Sequence, residues 1–307
     1  MKKKFKILWI RVFSFLFFFL LGLLGIFMVY LHFVFEGTEE NRFDFGDNRG
    51  DLSCLDTGIL NILVLGVDTL ASKSRGRSDS VVLVSLDEVH KKIKITSIMR
   101  DLWVNVPGHD WDRLNSAYPL GGASLAVQTI EKNFGIKIDR FVSVDFPGFE
   151  KIIDSLGGLE LKLEKDEIYF INNNAKSRVE SYGNVKLNGN QVLQFARDRD
   201  SSGSDFDRTK RQREVIVKVV EKLKCCSFAK LSAILVDILK CVKTNCKYSE
   251  LIGFCKRAPE YSLYETLTFR LPTSDNFVDA VVDGKQVLKI PDLNKARKDI
   301  QRFVMEI

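Results

Sequence analysis

The sequence predicts an α/β protein, an α-β-α sandwich around a central mixed sheet, preceded by one N-terminal transmembrane helix. Three observations carry that expectation. Short apolar runs bounded by turn residues, such as Ile59 to Gly66 and Val81 to Leu86, read as buried strands. They alternate with segments of helical spacing, the βαβ-like order of a layered domain. Ahead of them, Val12 to Tyr30 is a run of 19 uncharged, mostly apolar residues. At ~1.5 Å per residue it approaches the ~30 Å thickness of a bilayer core.

Lys2, Lys3, Lys4, Lys6 and Arg11 precede that run, and Glu36, Glu39, Glu40 and Asp44 crowd the flank beyond it. The positive-inside rule therefore predicts residues 1–11 as a cytoplasmic tail, 12–35 as a signal anchor and the rest as extracytoplasmic. The apolar run is longer than a signal-peptide core and no A-x-A-like cleavage site follows it, so the anchor is read as uncleaved. The formal charge is +6. Most of that surplus sits in the tail, which leaves the exported part close to neutral. No nucleic-acid partner is expected, since that would need a basic face on a folded domain. The membrane is the partner that the tail indicates.

Residues 36–58 are polar and rich in Asp, Gly and Asn, as a juxtamembrane linker is. The folded domain is predicted from Ile59. Its first strand ends at Val67-Asp68, a loop from Thr69 to Ser80 follows, and Val81 to Leu86 is the second strand. Lys92 to Met99 alternates as a third and ends at Arg100-Asp101. Ligands of open α/β sheets bind at the carboxyl ends of strands, so charged groups delivered there are candidate site residues. Trp103 to Pro107 is extended, and Ala123 to Phe134 reads as a helix after Gly121-Gly122. Phe141 to Val144 is a strand, with Asp145 as cap of a helix from Pro147 to Leu156. Leu159 to Leu163 is another strand. Residues 172–184 read as a polar loop, and Asn188-Gly189 open a helix carrying Gln191 to Arg197. A helix from Asp205 to Lys224 closes a domain at 59–224. In the extension, 225–307, the chain reads as helical to about Arg257. Strand-like segments follow at Leu267 to Leu271 and Val278 to Val282, and a last amphipathic helix at Leu293 to Val304.

Of six cysteines, Cys225, Cys226, Cys241, Cys246 and Cys255 cluster late, after Cys54. Disulfides and unpaired thiols both fit an exported chain, and the spacings match no zinc or C-x-x-C pattern.

The segment Phe195 to Glu214 is dense in both charges yet flanked by apolar residues on either side. On a helix, Arg208, Gln212, Val215, Val219 and Leu223 fall on one stripe, so Arg208 and Gln212 continue a buried face. A buried cation needs a partner. Either local Asp/Arg pairs supply it, or Arg197, Arg199, Arg208 and Gln212 converge on a polyanion such as a pyrophosphate. Asp68 and Asp79 offer hard oxygen ligands of the kind that suits Mg²⁺ shared with a substrate phosphate. Asp68 as a loop cap, an Asp79–Arg77 pair and an Arg100–Asp101 pair are the plainer alternatives. No G-x-S-x-G elbow and no Walker lysine loop occur, and His32, His90 and His109 have no nucleophile motif beside them. Phosphoryl chemistry driven by charge stabilisation and positioning is the class that these residues support.

The succession NILVLGVD (61–68), GRSDSVVLVSLD (76–87), ITSIMRDLWVNVPG (95–108), RLNSAY (113–118), GG (121–122), IDRFVSVDFPGFEKIIDSLGGLEL (138–161), LNGNQVLQFARDR (187–199) and SDFDRTKRQREVI (204–216) resembles the LytR-CpsA-Psr family. The resemblance implies a phosphotransferase on the outer face of the membrane. It would take a glycopolymer carried on polyprenyl pyrophosphate and transfer the sugar phosphate to a hydroxyl of peptidoglycan. Carried over by motif, Asp68 and Asp79 hold Mg²⁺, and Arg77, Arg100, Arg113, Arg197, Arg199, Arg208 and Gln212 bind the pyrophosphate. Arg100, Asp101, Arg197, Arg199 and Asp205 form the catalytic set. Val144, Phe146, Phe149, Ile152, Ile153, Val192 and Phe195 are candidates to line the lipid-tail cavity. The sequence departs from the family's habit at Met99, Leu102, Arg113 and Asp207. A polyprenyl pyrophosphatase and a non-catalytic lipid-pyrophosphate binder are the competing functions.

Overall fold

The apolar run after Gly58 forms the inner strand β1 (Ile59–Asp68), and its alternation decides the layering. In the computed structural model, which describes residues 58–68, 76–198 and 205–306, Leu63, Leu65 and Val67 enter one core. Leu60, Ile62 and Val64 enter another on the opposite face. β2 (Arg77–Asp87) and β3 (Lys92–Ile98) follow as antiparallel neighbours. β6 (Arg140–Asp145) lies parallel to β1, and β10 (Glu265–Leu271) parallel to β3. β9 (Val242–Thr244) pairs antiparallel with β6 at the far edge. The order β10-β3-β2-β1-β6-β9 is a mixed sheet, as the sequence predicts.

Helices cover both faces. α1 (Ala117–Phe134) and α8 (Leu293–Met305) cover the first, the latter through Ala296, Ile300 and Val304 at helical spacing. α5 (Asp205–Lys224) covers the second with Ile216, Val217 and Val220. Its next stripe, Val215, Val219 and Leu223, joins α2 (Phe146–Ser155) and α4 (Gly189–Arg197) in a further apolar cluster. Asp145 caps α2 by accepting from the Gly148 amide at 2.9 Å. Asn188 and Gln191 exchange side chain to backbone bonds of 3.0 Å at the start of α4. Gly189 lets α4 approach α2, for a Cβ there would lie 2.0 Å from the Glu150 carbonyl oxygen. Gly189→Ala is expected to cost about 1–3 kcal/mol by overpacking. Urea unfolding checks it, and an unchanged midpoint contradicts the close approach.

The structure corrects the sequence reading in several places. Leu159 to Leu163 is the strand predicted, β7 (Leu159–Leu163), and among the described residues it pairs with β8 (Gly183–Leu187), outside the central sheet. The predicted polar loop at 172–184 begins inside α3 (Lys165–Asn174), which Glu164 and Glu167 open as a capping box. The stretch after Lys224 is not continuously helical. α6 (Phe228–Leu239) and α7 (Tyr248–Tyr261) flank the edge strand β9, and the buried Arg140–Glu250 pair ties α7 to β6. Two more ribbons, β4 (Trp103–Asn105) with β5 (Trp111–Arg113) and β11 (Val278–Val282) with β12 (Lys285–Lys289), lie beside the sheet.

Of the two cysteine alternatives, Cys225, Cys226, Cys241, Cys246 and Cys255 take the unpaired one. Burial pushes the Cys246 thiol up to about 11. Among the described residues no helix is long and apolar enough to cross a membrane. The predicted anchor at 12–35 lies outside them.

Candidate active site

Parallel pairing sets the carboxyl ends of β1 and β6 side by side, with Val67 opposite Asp145. β2 starts at the same level, Arg77 opposite Asp68. Between these points the register shifts, because Val67 faces Ser78 whereas Gly66 faces Ser80. Asp79 is therefore the extra residue of a β-bulge. Strict alternation would set Asp79 with Val81, which enters the α1 side of the core. The bulge brings it to the side of Ser80 and Asp68, and all three line one cavity of about 530 Å³.

The cavity has two characters. Asp68, Asp79 and Asp145 from the sheet, Arg197 from the last turn of α4, and Arg208 and Gln212 from α5 supply its polar groups. Ser80, Asn174 and Gln194 add neutral polar groups, and Val64, Val144, Phe146, Phe149, Phe170, Leu193, Val215 and Ile216 supply its apolar surface. Arg197 lies with its guanidinium 4.7 Å from the centre of the Phe146 ring. Arg208 is 3% exposed, and its Nη2 donates to Asp205 Oδ2 at 2.9 Å. The predicted stripe is thus observed, with Arg208, Gln212 and Val215 all reaching the cavity.

Arg100, at the end of β3, is the hub beside it. Its Nη1 donates to Asp79 Oδ1 at 2.5 Å, its Nε stands 3.4 Å from Asp101 Oδ2, and its Nη2 stands 3.5 Å from Asp205 Oδ1. Burial alone would lower the guanidinium's proton affinity; the three carboxylates outweigh it and raise the pKa. For Asp101 burial wins. Its carboxyl is pushed above the usual range, with Asp205 adding to the effect and Arg100 and Arg113 opposing it.

The predicted residues are distributed as follows. Asp68, Asp79, Arg197, Arg208 and Gln212 line the cavity. Arg100 touches its wall through Asp79. Arg113 stands 3.6 Å from Asp101 and does not line the cavity. Arg77 is exposed and is likewise absent from the lining. Arg199 lies outside the described residues. Of the predicted tail-cavity residues, Val144, Phe146 and Phe149 do line it, whereas Ile153, Val192 and Phe195 are buried in the neighbouring core with Ile152 packed against them. Sequence reasoning missed Phe170 and Asn174 of α3. The acidic opening of that helix, Glu164 to Glu167, was the available signal.

The family model described as LytR_cpsA_psr family matches residues 30–301. Regulatory protein MsrR of Staphylococcus aureus (strain COL) is 41% identical over 161 residues, covering 52% of this chain and 47% of MsrR. The chain thus spans about half the length of the curated relative. The polyisoprenyl-teichoic acid–peptidoglycan teichoic acid transferase TagU of Bacillus cereus is 32% identical over 206 residues, 64% of each protein. YwtF (TagT) of Bacillus subtilis, solved with bound octaprenyl pyrophosphate lipid, superposes with a TM-score of 0.63 at 25% identity. That match covers 85% of this chain and 92% of the other. With the mixed sheet, the motif succession and a family match over most of its length in agreement, the chain belongs to the LytR-CpsA-Psr family.

Proposed function

We propose that this chain is a phosphotransferase of envelope assembly, taking a glycopolymer from a polyprenyl-pyrophosphate carrier and transferring its sugar phosphate to a hydroxyl of peptidoglycan. The observation that carries this reading is the mixed lining of the cavity. Arg197, Arg208 and Gln212 share one lining with Asp68 and Asp79 and with a larger set of apolar side chains. That is the complement of an amphiphile with a compact polyanionic head. The TagT complex with octaprenyl pyrophosphate and the name of TagU support the reading.

Within it, Arg197 and Arg208 present guanidinium forks to phosphate oxygens, and Gln212 adds an amide donor. Phe146 keeps Arg197 facing the head group, while Asp205 holds Arg208 in place. The apolar walls receive the first isoprene units and keep water from the leaving phosphate. Asp68 and Asp79 fit Mg²⁺, because the bulge turns two hard carboxylate donors from neighbouring strand ends toward one space. When bound there, Mg²⁺ neutralises charge on the pyrophosphate. The segment at 12–35, as an anchor, keeps the domain at the outer membrane face where a lipid carrier is reached.

The experiment supplies the full chain with a polyprenyl-pyrophosphate-linked saccharide, Mg²⁺ and glycan acceptor, and follows release of polyprenyl monophosphate. Asp79→Ala is expected to lower that rate about 100-fold or more while the protein stays folded. An unchanged rate removes Asp79 from the metal site. A wild-type protein that binds the lipid without turnover is a carrier-binding protein instead, and release that needs no glycan acceptor marks a pyrophosphatase.

A further inference from the structure

We infer that a second cavity, behind Arg100 and lined in part by the β11–β12 hairpin, is the acceptor subsite and takes a hydroxyl-bearing saccharide strand. The inference rests on the transferase reading above and adds the acceptor's place to it. This cavity, also about 530 Å³, shares no lining residue with the first. Asp101, Asp205 and Phe206 line it from the sheet end and α5, and Asp279, Val281 and Gln286 from the hairpin. Carboxylates and an amide that accept from and donate to hydroxyls, beside aromatic and apolar surface, suit a saccharide.

Two arginines join the cavities. Arg208 lines the first and donates to Asp205 of the second, and Arg100 spans from Asp79 of the first to Asp101 and Asp205 of the second. In phosphoryl transfer the attacking and leaving oxygens lie in line on opposite sides of phosphorus. A pyrophosphate held at that arginine wall has its carrier on one side and an open cavity on the other. The hairpin is fixed to the wall itself, because the Leu288 amide donates to the Asp101 carbonyl at 2.9 Å.

The transfer balances with these groups. The acceptor hydroxyl oxygen bonds to the sugar-bearing phosphorus as the bond from that phosphorus to the bridging oxygen breaks. Polyprenyl monophosphate leaves with the bridging oxygen and its electron pair. The hydroxyl proton passes to the Asp101 carboxylate, whose burial favours its protonated form.

The test uses the full chain, a polyprenyl-pyrophosphate-linked saccharide as donor and a soluble glycan-strand oligosaccharide as acceptor. Asp279 and Gln286 are both exposed, so the fold does not depend on them. Asp279→Ala and Gln286→Ala are each expected to raise the acceptor KM about fivefold, the loss of one or two hydrogen bonds, with lipid affinity unchanged. Asp101→Asn is expected to abolish transfer while the lipid still binds. Turnover with the acceptor KM unmoved in both hairpin variants overturns the subsite and leaves the transferase reading standing. A wild-type protein that releases no polyprenyl monophosphate with any acceptor overturns both.

Discussion

Arg100→Ala is expected to lower single-turnover transfer by about 1,000-fold or more, the scale on which an arginine stabilises phosphoryl-transfer charge. The loss has two sources. One is the guanidinium itself, set against the cavity wall. The other is what its removal leaves behind, since Asp79, Asp101 and Asp205 each meet a different nitrogen of Arg100. Without it three carboxylates face one another, and Asp79 loses the donor that orients it in the cavity wall. Arg100→Lys distinguishes this account from a simple need for positive charge. A single ammonium cannot reach three carboxylates from three directions, so the lysine variant is expected to recover little of the rate. Wild-type turnover in Arg100→Lys contradicts the role assigned here.

The largest expected effect on stability lies far from the cavity. Lys94 is fully buried on β3, its Nζ 2.6 Å from the equally buried Asp87 Oδ2 and 3.0 Å from Glu306 Oε1, and it donates to the Val304 carbonyl at 2.8 Å. One ammonium thus fixes the sheet to the C-terminal end of α8, where the helix dipole favours a cation. Lys94→Met leaves Asp87 buried without that cation, and about 3–5 kcal/mol of unfolding free energy is expected to go with it. Replacing Asp87 as well, by Leu, is expected to restore part of the loss. Burial pushes the Asp87 carboxyl up, but bonds from Lys94 and His90 outweigh it and hold it below its ordinary 3.8. A depressed carboxyl contributes stability that is present above its unfolded pKa and lost as pH falls through the folded one. The deficit of Lys94→Met is therefore expected to be full at neutral pH and to shrink as pH falls and the variant's carboxyl, no longer held down by Lys94, protonates before the wild-type one does. Guanidinium unfolding at neutral and at acid pH measures it, and a neutral-pH deficit under about 1 kcal/mol contradicts the buried pair.

Much of the fold was legible because its inner strands are short apolar or alternating runs bounded by turn residues. Those that declare β1, β2, β3 and β6 need no tertiary information to be seen. β9 was not legible: three residues, Val242 to Thr244, give no periodicity, and they form a strand because β6 offers an edge. β8 was hidden for a related reason, since its start, Gly183-Asn184, falls in the polar loop read at 172–184 and the strand declares itself only where Leu159 to Leu163 pairs with it.

In the site, local sequence named the residues and register placed them. Asp79 was a candidate ligand from its type and setting, yet its meeting with Asp68 depends on a bulge that exists only in the β1–β2 pairing. Arg208 and Gln212 followed from helical spacing alone. Arg113 shows the limit of motif carry-over, because it pairs with Asp101, on the side of the second cavity, and does not line the first. That cavity had no signal in any one stretch of sequence. It arises where residues 278–289 fold back against Asp101 and α5.

On the proposed reading one cavity receives a lipid pyrophosphate, head at Arg197, Arg208 and Gln212, tail along Phe149, Phe170 and Val215. A crystal structure of the protein with a short polyprenyl pyrophosphate and Mg²⁺ tests it directly. Phosphate oxygens are expected on those arginines, the ion on Asp68 and Asp79, and the isoprene chain against those phenylalanines. A head group bound elsewhere, or a tail lying outside the cavity, contradicts it.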